Sequence, residues 1–366
     1  MITKLVIDAR MIMHSGIGRV IRNILFAEDF SANLNIKSVE VILPKGIESD
    51  IEGQFPDDWK LTYSSIGIYS IQEQFAFREY RKQSNLLWWS PHYNVPIFGS
   101  SLLLVTVHDL IHVARPDFFP KLKERIYANL MFRALLNKAS EIIFVSDFSK
   151  TEMERLFDVK GASLNVIEND IDDLFLSAID QVQDEDRTKN YMLYVGNVKP
   201  HKNIKALLNA FVRAKDKLSC DLYIVGEREG FRNAEVGLDE LIDECEERVV
   251  FTGRVSDDEL ITYYREAKFM VFPSHYEGFG LPPVESMCLG CPVLASDIPA
   301  VREICKDAVS YFDPYSVEDI QAKIEEFDMN KELRMRFKQR SYKRVNDFKV
   351  KKAASQYAAL INQITS

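Results

Sequence analysis

The chain has 366 residues, 46% hydrophobic and 28% charged, with 46 basic against 55 acidic side chains and a formal net charge of −9. That length predicts two domains, and the composition excludes long disorder, a collagen-like repeat and a small disulfide scaffold. The negative balance argues against a protein built to hold nucleic-acid backbone, and the longest apolar runs, such as Leu102-Leu103-Leu104-Val105, fall far short of the ~20 residues that span a bilayer.

At the N-terminus, Asp8 and Arg10 interrupt the run Leu5-Val6-Ile7, too early for the apolar core of an export signal. With five cysteines at no framework spacing, this predicts a cytoplasmic protein. Short apolar stretches then recur as strand candidates at 4–8, 40–43, 102–107, 141–145, 163–167, 192–195, 222–225, 249–252, 269–272 and 292–295. Most are apolar on both faces and helix-length segments separate them. That pattern predicts parallel strands covered by helices on both sides, an α/β fold of the doubly wound kind. Residues 175–190 are polar and aperiodic, and strand–helix alternation restarts at Tyr191, which places a boundary there. The Asp170-Ile171-Asp172 and Asp184-Glu185-Asp186 runs fit a D-x-D pattern able to hold a cation, but beside a linker they read better as solvated charge. No metal site is predicted. Cys288 and Cys291 form a C-x-x-C with no second pair or nearby histidines, so it reads as structural.

Four segments carry candidate chemistry. Ser15-Gly16-Ile17-Gly18-Arg19 follows the first strand, where glycines let backbone N–H groups approach a phosphate, although Arg22 breaks the dinucleotide fingerprint and a tight turn explains the pair equally well. His108, in Val107-His108-Asp109-Leu110, ends a buried strand, where side chains face the ligand edge of an α/β sheet. Tyr194-Val195-Gly196-Asn197 through Lys199, His201 and Lys202 concentrates cations at a helix start and suits a diphosphate, with a solvated loop as the plain alternative. Pro273-Ser274-His275-Tyr276-Glu277-Gly278-Phe279-Gly280-Leu281-Pro282-Pro283-Val284-Glu285 is the most specific. It runs from a strand through two glycines into a helix opened by prolines. Glu277 and Glu285, eight positions apart, flank a loop of N–H donors. A phosphate-binding loop with hydroxyl acceptors on both sides suits a nucleotide sugar.

These segments resemble the retaining glycosyltransferases of the GT-B architecture, the large group 1 family, also called family four. Glu277 and Glu285 match the family's E-x7-E spacing, and Cys291-Pro292-Val293-Leu294-Ala295-Ser296 is similar to the strand that follows it. Gly196 to Lys202 resembles its phosphate loop, Val250-Phe251-Thr252-Gly253 its base pocket, and Val166-Ile167-Glu168-Asn169-Asp170 its hinge. The resemblance covers nearly the whole chain.

It implies two Rossmann-like domains facing each other across a cleft. The first, an acceptor-binding domain, would span 1–180 with the last segment from about 346 to 366 crossing back to it; the second, a nucleotide-sugar domain, would span 190–345. It implies that Lys202 neutralises the donor diphosphate, with Gly196, Asn197 and Gly253 alongside. Glu285 would bind ribose hydroxyls and Glu277 donor-sugar hydroxyls. The backbone of Phe279, Gly280 and Leu281 would meet sugar and diphosphate, Val250 and Phe251 the base, and His108 the transferred sugar. Gly16 and Gly18 would line the cleft. The family often has Arg where Asn197 stands, so Lys199 or His201 would supply that contact. Its hinge usually reads Asn-Gly, and Asp170 enters the left-handed conformation less readily than glycine.

The implied reaction is retaining transfer of a mannose- or glucose-type hexose from a GDP- or UDP-sugar to a glycan or lipid-linked acceptor in bacterial cell-surface polysaccharide synthesis, including lipopolysaccharide, without a metal or other cofactor. A non-catalytic partner subunit and a GT-B epimerase or phosphorylase remain as alternatives. The basic segments 121–138 and 331–352 suit weak contact with the inner face of the cell membrane, or simply solvated helix faces.

Overall fold

A computed structural model describes residues 1–14, 16–51, 53–70, 72–97, 101–119, 121–179, 188–226, 237–348 and 352–366. Ser15 and the Asp184-Glu185-Asp186 run lie outside the described residues. The chain divides into two compact units, Met1–Asp170 with Lys351–Ser366, and Ile171–Val350. The division falls at Asp170 and not within 175–190, because the short helix Asp173–Ser177 packs with the second unit, with Phe175 edge-on to Tyr264.

The first unit is built on strands β1 (Lys4–Asp8), β2 (Ser38–Pro44), β3 (Lys60–Ser64), β4 (Leu86–Ser90), β5 (Leu102–Val107), β6 (Glu141–Phe144) and β7 (Leu164–Val166). They form one sheet in the order β3-β2-β1-β4-β5-β6-β7, parallel throughout. The order reverses between β1 and β4, which marks the carboxyl edge there as the ligand-binding crevice of a doubly wound sheet. Leu5, Val6, Ile7, Trp88, Trp89, Val105 and Phe144 are buried. A parallel sheet covered on both faces needs such two-sided apolar strands.

The C-terminal helix Ala353–Thr365 belongs to this first unit. Tyr357 packs its ring 5.0 Å from that of Trp89 and shares a 3.1 Å hydrogen bond with the Thr106 hydroxyl. Asn362 exchanges hydrogen bonds with the Asn35 N–H and the Asn33 carbonyl, both at 2.8 Å. The left-handed backbone expected near Asp170 is absent: outside glycine, the described residues with positive φ are Tyr69, Asn203 and Lys306. Asp170 has another task. Its carboxylate accepts the N–H groups of Lys352 and Ala353 at 3.1 and 2.9 Å, where the last helix begins and its amides lack intrahelical partners.

The second unit has strands β8 (Tyr191–Val195), β9 (Asp221–Val225), β10 (Val249–Gly253), β11 (Phe269–Phe272), β12 (Val293–Ser296) and β13 (Ser310–Phe312). They form a parallel sheet in the order β10-β9-β8-β11-β12-β13, reversing between β8 and β11. Its core joins Met192, Phe211, Phe269, Val271 and Leu294 to Ile320 and Phe327 of the helix Val317–Met329. All five cysteines are free and buried; Cys288 closes one helix and Cys291 precedes β12, as expected of structural residues. Three strands were not foreseen, namely β3, β4 and β13. β3 and β13 are short or mixed-polarity strands at sheet edges, and β4 hides in the aromatic run Leu87-Trp88-Trp89.

Candidate functional site

In the second unit the candidate residues gather at the carboxyl ends of β8, β9, β10 and β11. Three of these ends are glycines in close contact. The Gly196 N–H bonds the Val225 carbonyl at 3.0 Å, and the Gly226 N–H bonds the Gly253 carbonyl at 3.1 Å. A Cβ on Gly226 would stand 2.2 Å from the Gly196 carbonyl oxygen, so the crossing admits no side chain there. Val250 and Phe251 lie on β10, the edge strand of this sheet, half-buried.

Beyond Gly196, Asn197 and buried Val198 lead to a short 3-10 turn at Pro200–Lys202, and Asn203 then adopts φ 56° before the helix Ile204–Ala214. Asparagine is among the few residues that take this conformation readily. Its buried carboxamide donates to the carbonyls of Pro273 and Pro314 at 3.0 and 2.8 Å. The His275 N–H adds a bond to the His201 carbonyl at 2.8 Å. Two ties thus fasten the loop after β8 to the loop after β11, although 70 residues separate Asn203 from Pro273.

That fastening brings Lys202 and Glu277 together. Lys202 Nζ donates to Glu277 Oε1 at 2.6 Å, with the side chains 22% and 13% exposed. Sequence reasoning gave them separate targets, diphosphate and sugar; the structure pairs them with each other. A charge-assisted contact of this kind is stronger than a neutral one, and it leaves both groups reachable from solvent. Lys199 is exposed, whereas His201 is buried.

The loop then passes buried Phe279 to Gly280, at φ 98°, and the helix Leu281–Cys288 begins. Pro282 and Pro283 remove two N–H groups from its first turn, so the backbone donors at this end are those of Leu281 and the residues just before it. Glu285, one turn in, is 4% exposed, and its Oε2 accepts the Tyr264 hydroxyl at 3.0 Å. Tyr264, on the helix Asp257–Glu266, was missed in the sequence. Its sole signal is a place in an amphipathic pattern, which does not separate a site residue from a core one.

His108, Gly16 and Gly18 belong to the first unit. His108 follows β5 directly, and its Nε2 stands 2.9 Å from the Pro91 carbonyl. A carbonyl accepts only, so Nε2 carries the proton and Nδ1 the lone pair. Burial holds the ring's pKa below the usual histidine range, outweighing the Pro91 bond and Asp109, so the ring is neutral. Gly18 is a packing residue: a Cβ there would lie 2.4 Å from the Ile12 carbonyl oxygen, whereas one on Gly16 would meet nothing within 4 Å. Among the described residues no group of three or more His, Cys, Asp or Glu side chains is placed to hold a metal ion, and no helix is long and apolar enough to cross a membrane.

Residues 177–344 match the family model described as glycosyl transferases group 1. The chain is 28% identical over 249 residues to the O-antigen chain mannosyltransferase RfbU of Salmonella typhimurium, a match spanning 67% of this chain and 66% of that one. Among solved structures it is similar to a sucrose-phosphate synthase from Thermosynechococcus elongatus, with TM-score 0.74, 19% identity and 99% of each chain covered. It is also similar to Anabaena Alr3699/HepE in complex with UDP and glucose, with TM-score 0.69, 17% identity and coverage of 99% and 98%. These likenesses show the fold, which is GT-B.

Proposed function

From the match of residues 177–344 to the group 1 glycosyl transferase model, we propose that the protein transfers a hexose, with retention of anomeric configuration, from a nucleoside-diphosphate sugar to a hydroxyl of a glycan or lipid-linked acceptor in bacterial cell-surface polysaccharide synthesis. The observation that carries this is the Lys202–Glu277 pair, held at 2.6 Å by two loop ties on the carboxyl edge of the second sheet. A mannosyl donor comes first, since a relative over two thirds of this chain is named a mannosyltransferase; a UDP-hexose comes second.

In this reading the diphosphate enters beside Lys202, which turns from Glu277 toward the phosphates and leaves the carboxylate to the sugar hydroxyls. Departure of the diphosphate puts positive character on the sugar carbon and negative charge on the leaving oxygen. Preorganised donors aimed at that oxygen lower the barrier most; here they are Lys202 and the amides of Phe279, Gly280 and Leu281. The acceptor oxygen bonds the anomeric carbon on the face the diphosphate leaves, and its proton passes to a phosphate oxygen. Glu285, oriented by Tyr264, binds the ribose. Val250 and Phe251 flank the base. The first unit would bind the acceptor. No metal takes part, and no nucleic acid is a partner. The protein would work in the cytoplasm, in weak contact with the inner leaflet through its basic helices.

The test is release of GDP from GDP-mannose, and of UDP from UDP-hexoses, in EDTA, with the product anomer read by proton NMR. Retention means an α product from an α-linked donor. Absence of release from any donor, with Glu277→Gln indistinguishable from the parent, supports the non-catalytic alternative and overturns the proposal.

A further inference from the structure

The helix Leu122–Lys138 connects β5 to β6 in the first unit. Its inward side is ordinary: Ala128, Met131, Phe132 and Leu135 are buried, and Phe132 stacks on Tyr93 with ring centroids 4.9 Å apart. Its outward side is not. A surface helix turns polar residues to water opposite its core face. Here Leu122, Ile126 and Leu130 stand there, 61%, 51% and 55% exposed. Spaced four apart, they form one ridge about 12 Å long. No other helix among the described residues carries more than one exposed large apolar side chain. A helix that is apolar on both sides has a second apolar surface to cover.

Positive charge surrounds the ridge. Lys121, Lys123, Arg125, Arg133 and Lys138 are exposed, and the one acidic side chain of the segment, Glu124, is paired with Lys121 at 3.3 Å. This basic excess stands on a chain whose net charge is −9. At the helical pitch Lys123 and Arg125 flank the ridge on opposite sides, and Arg133 follows Leu130 along it. An apolar ridge rimmed by cations matches an anionic bilayer, where the acyl boundary takes the ridge and the headgroups take the lysines and arginines. A second copy of this chain matches poorly, because two-fold pairing would set the same cations against each other. The helix Lys331–Val345 is equally basic but lacks a ridge. Its Leu333, Phe337 and Val345 are buried, and Arg334 and Arg344 donate to the carbonyls of Asp328 and Ile304 at 2.9 and 2.8 Å.

We propose that the helix Leu122–Lys138 is the membrane-docking element of the chain, laying Leu122, Ile126 and Leu130 into the boundary between headgroups and acyl chains of an anionic leaflet. The proposal rests on the inner-leaflet contact of the proposed function, assigns that contact to one helix, and is independent of the donor site. The Tyr127 hydroxyl bonds Asn94, just beyond β4, so the docked helix brings the carboxyl edge of the first sheet close to the bilayer surface.

The test is co-flotation of the full chain with vesicles of phosphatidylcholine, alone or with about 30% phosphatidylglycerol. The parent should float with the anionic vesicles and far less with the neutral ones. Ile126→Ser combined with Leu130→Ser should weaken that partition at least about tenfold, and Lys123→Gln combined with Arg125→Gln should weaken it as well. These side chains are exposed, so both variants should keep the parent's melting midpoint. Lys331→Gln, Arg336→Gln and Lys343→Gln together, on the other basic helix, should leave partition within about twofold of the parent. A parent that does not float with anionic vesicles, partition unchanged by the Ile126 and Leu130 substitutions, or an equal loss from the control variant overturns the proposal. So does a parent that sediments as a dimer and becomes monomeric when Ile126 and Leu130 are replaced, which would give the ridge to a second copy. Failure of the donor reading shows separately, as no thermal response of the parent to any nucleotide without vesicles.

Discussion

Replacing Asn203 with alanine should destabilise the second unit by ~3 kcal/mol. The structure supplies the terms. Two hydrogen bonds from its buried carboxamide are lost, to Pro273 and Pro314 at 3.0 and 2.8 Å, each worth about 1 kcal/mol net. Alanine must also hold φ 56°, which costs roughly 1 kcal/mol more than asparagine pays. Asn203→Gly removes the bonds but relieves the backbone, so it should lose only ~2 kcal/mol. For a unit of this size 1 kcal/mol moves the midpoint by about 2–4 °C, so alanine should melt about 6–12 °C below the parent and glycine about 4–8 °C. Urea titration followed by tryptophan-independent far-UV dichroism reads both. Because the same amide fixes the Lys202 loop against the Glu277 loop, nucleotide-sugar cleavage should fall in both variants even where they are fully folded. An alanine variant within ~0.5 kcal/mol of the parent, or equal to glycine, would show that the ties do not carry the loop geometry.

Other expectations follow from single contacts. Gly18→Ala should cost at least ~2 kcal/mol, since its Cβ meets the Ile12 carbonyl at 2.4 Å, while Gly16→Ala should be neutral or slightly stabilising; paired melting curves check the contrast. Tyr264→Phe should weaken nucleotide binding about fivefold to tenfold by calorimetry, because it removes the 3.0 Å donor that orients Glu285. His92, fully buried, has its pKa lowered from 6.5 to about 4, chiefly by burial. Between those values the unfolded chain binds a proton that the folded chain refuses, so stability should fall as pH drops from 6.5 to 4, by up to ~3 kcal/mol, and be fully present above. His92→Gln should flatten that part of the pH profile; a profile unchanged by the substitution would refute the assignment.

Much of this architecture is readable from the chain because parallel strands buried on both faces leave apolar runs that need no context. Ten strands announce themselves this way, while Lys60–Ser64, with its polar alternation at a sheet edge, does not. The glutamate spacing and glycine loops of 273–285 are legible for the same reason, being local. What escaped is long-range. Tyr264 meets Glu285 across 21 residues and Asn203 meets Pro314 across 111, and neither has a local pattern. Asp8 and Arg10 are visible in sequence only as charges that break an apolar run; folding makes them a buried ion pair that Glu73 joins. The Lys202–Glu277 pair was half legible: both residues stand out, but their contact depends on two ties that only the folded loops create.

The most direct test is the thermal response of the full chain to GDP, UDP and their hexose conjugates in EDTA, beside Glu285→Ala. At a hundredfold excess over Kd, one bound nucleotide should add about 2.7 kcal/mol, or roughly 5–11 °C in a unit of this size. The expected result is a rise with one nucleoside diphosphate and its sugar that needs no metal and is lost in Glu285→Ala. A chain that no nucleotide stabilises, or one whose response survives the loss of Glu285, would contradict a nucleotide-sugar site at the carboxyl edge of the second sheet.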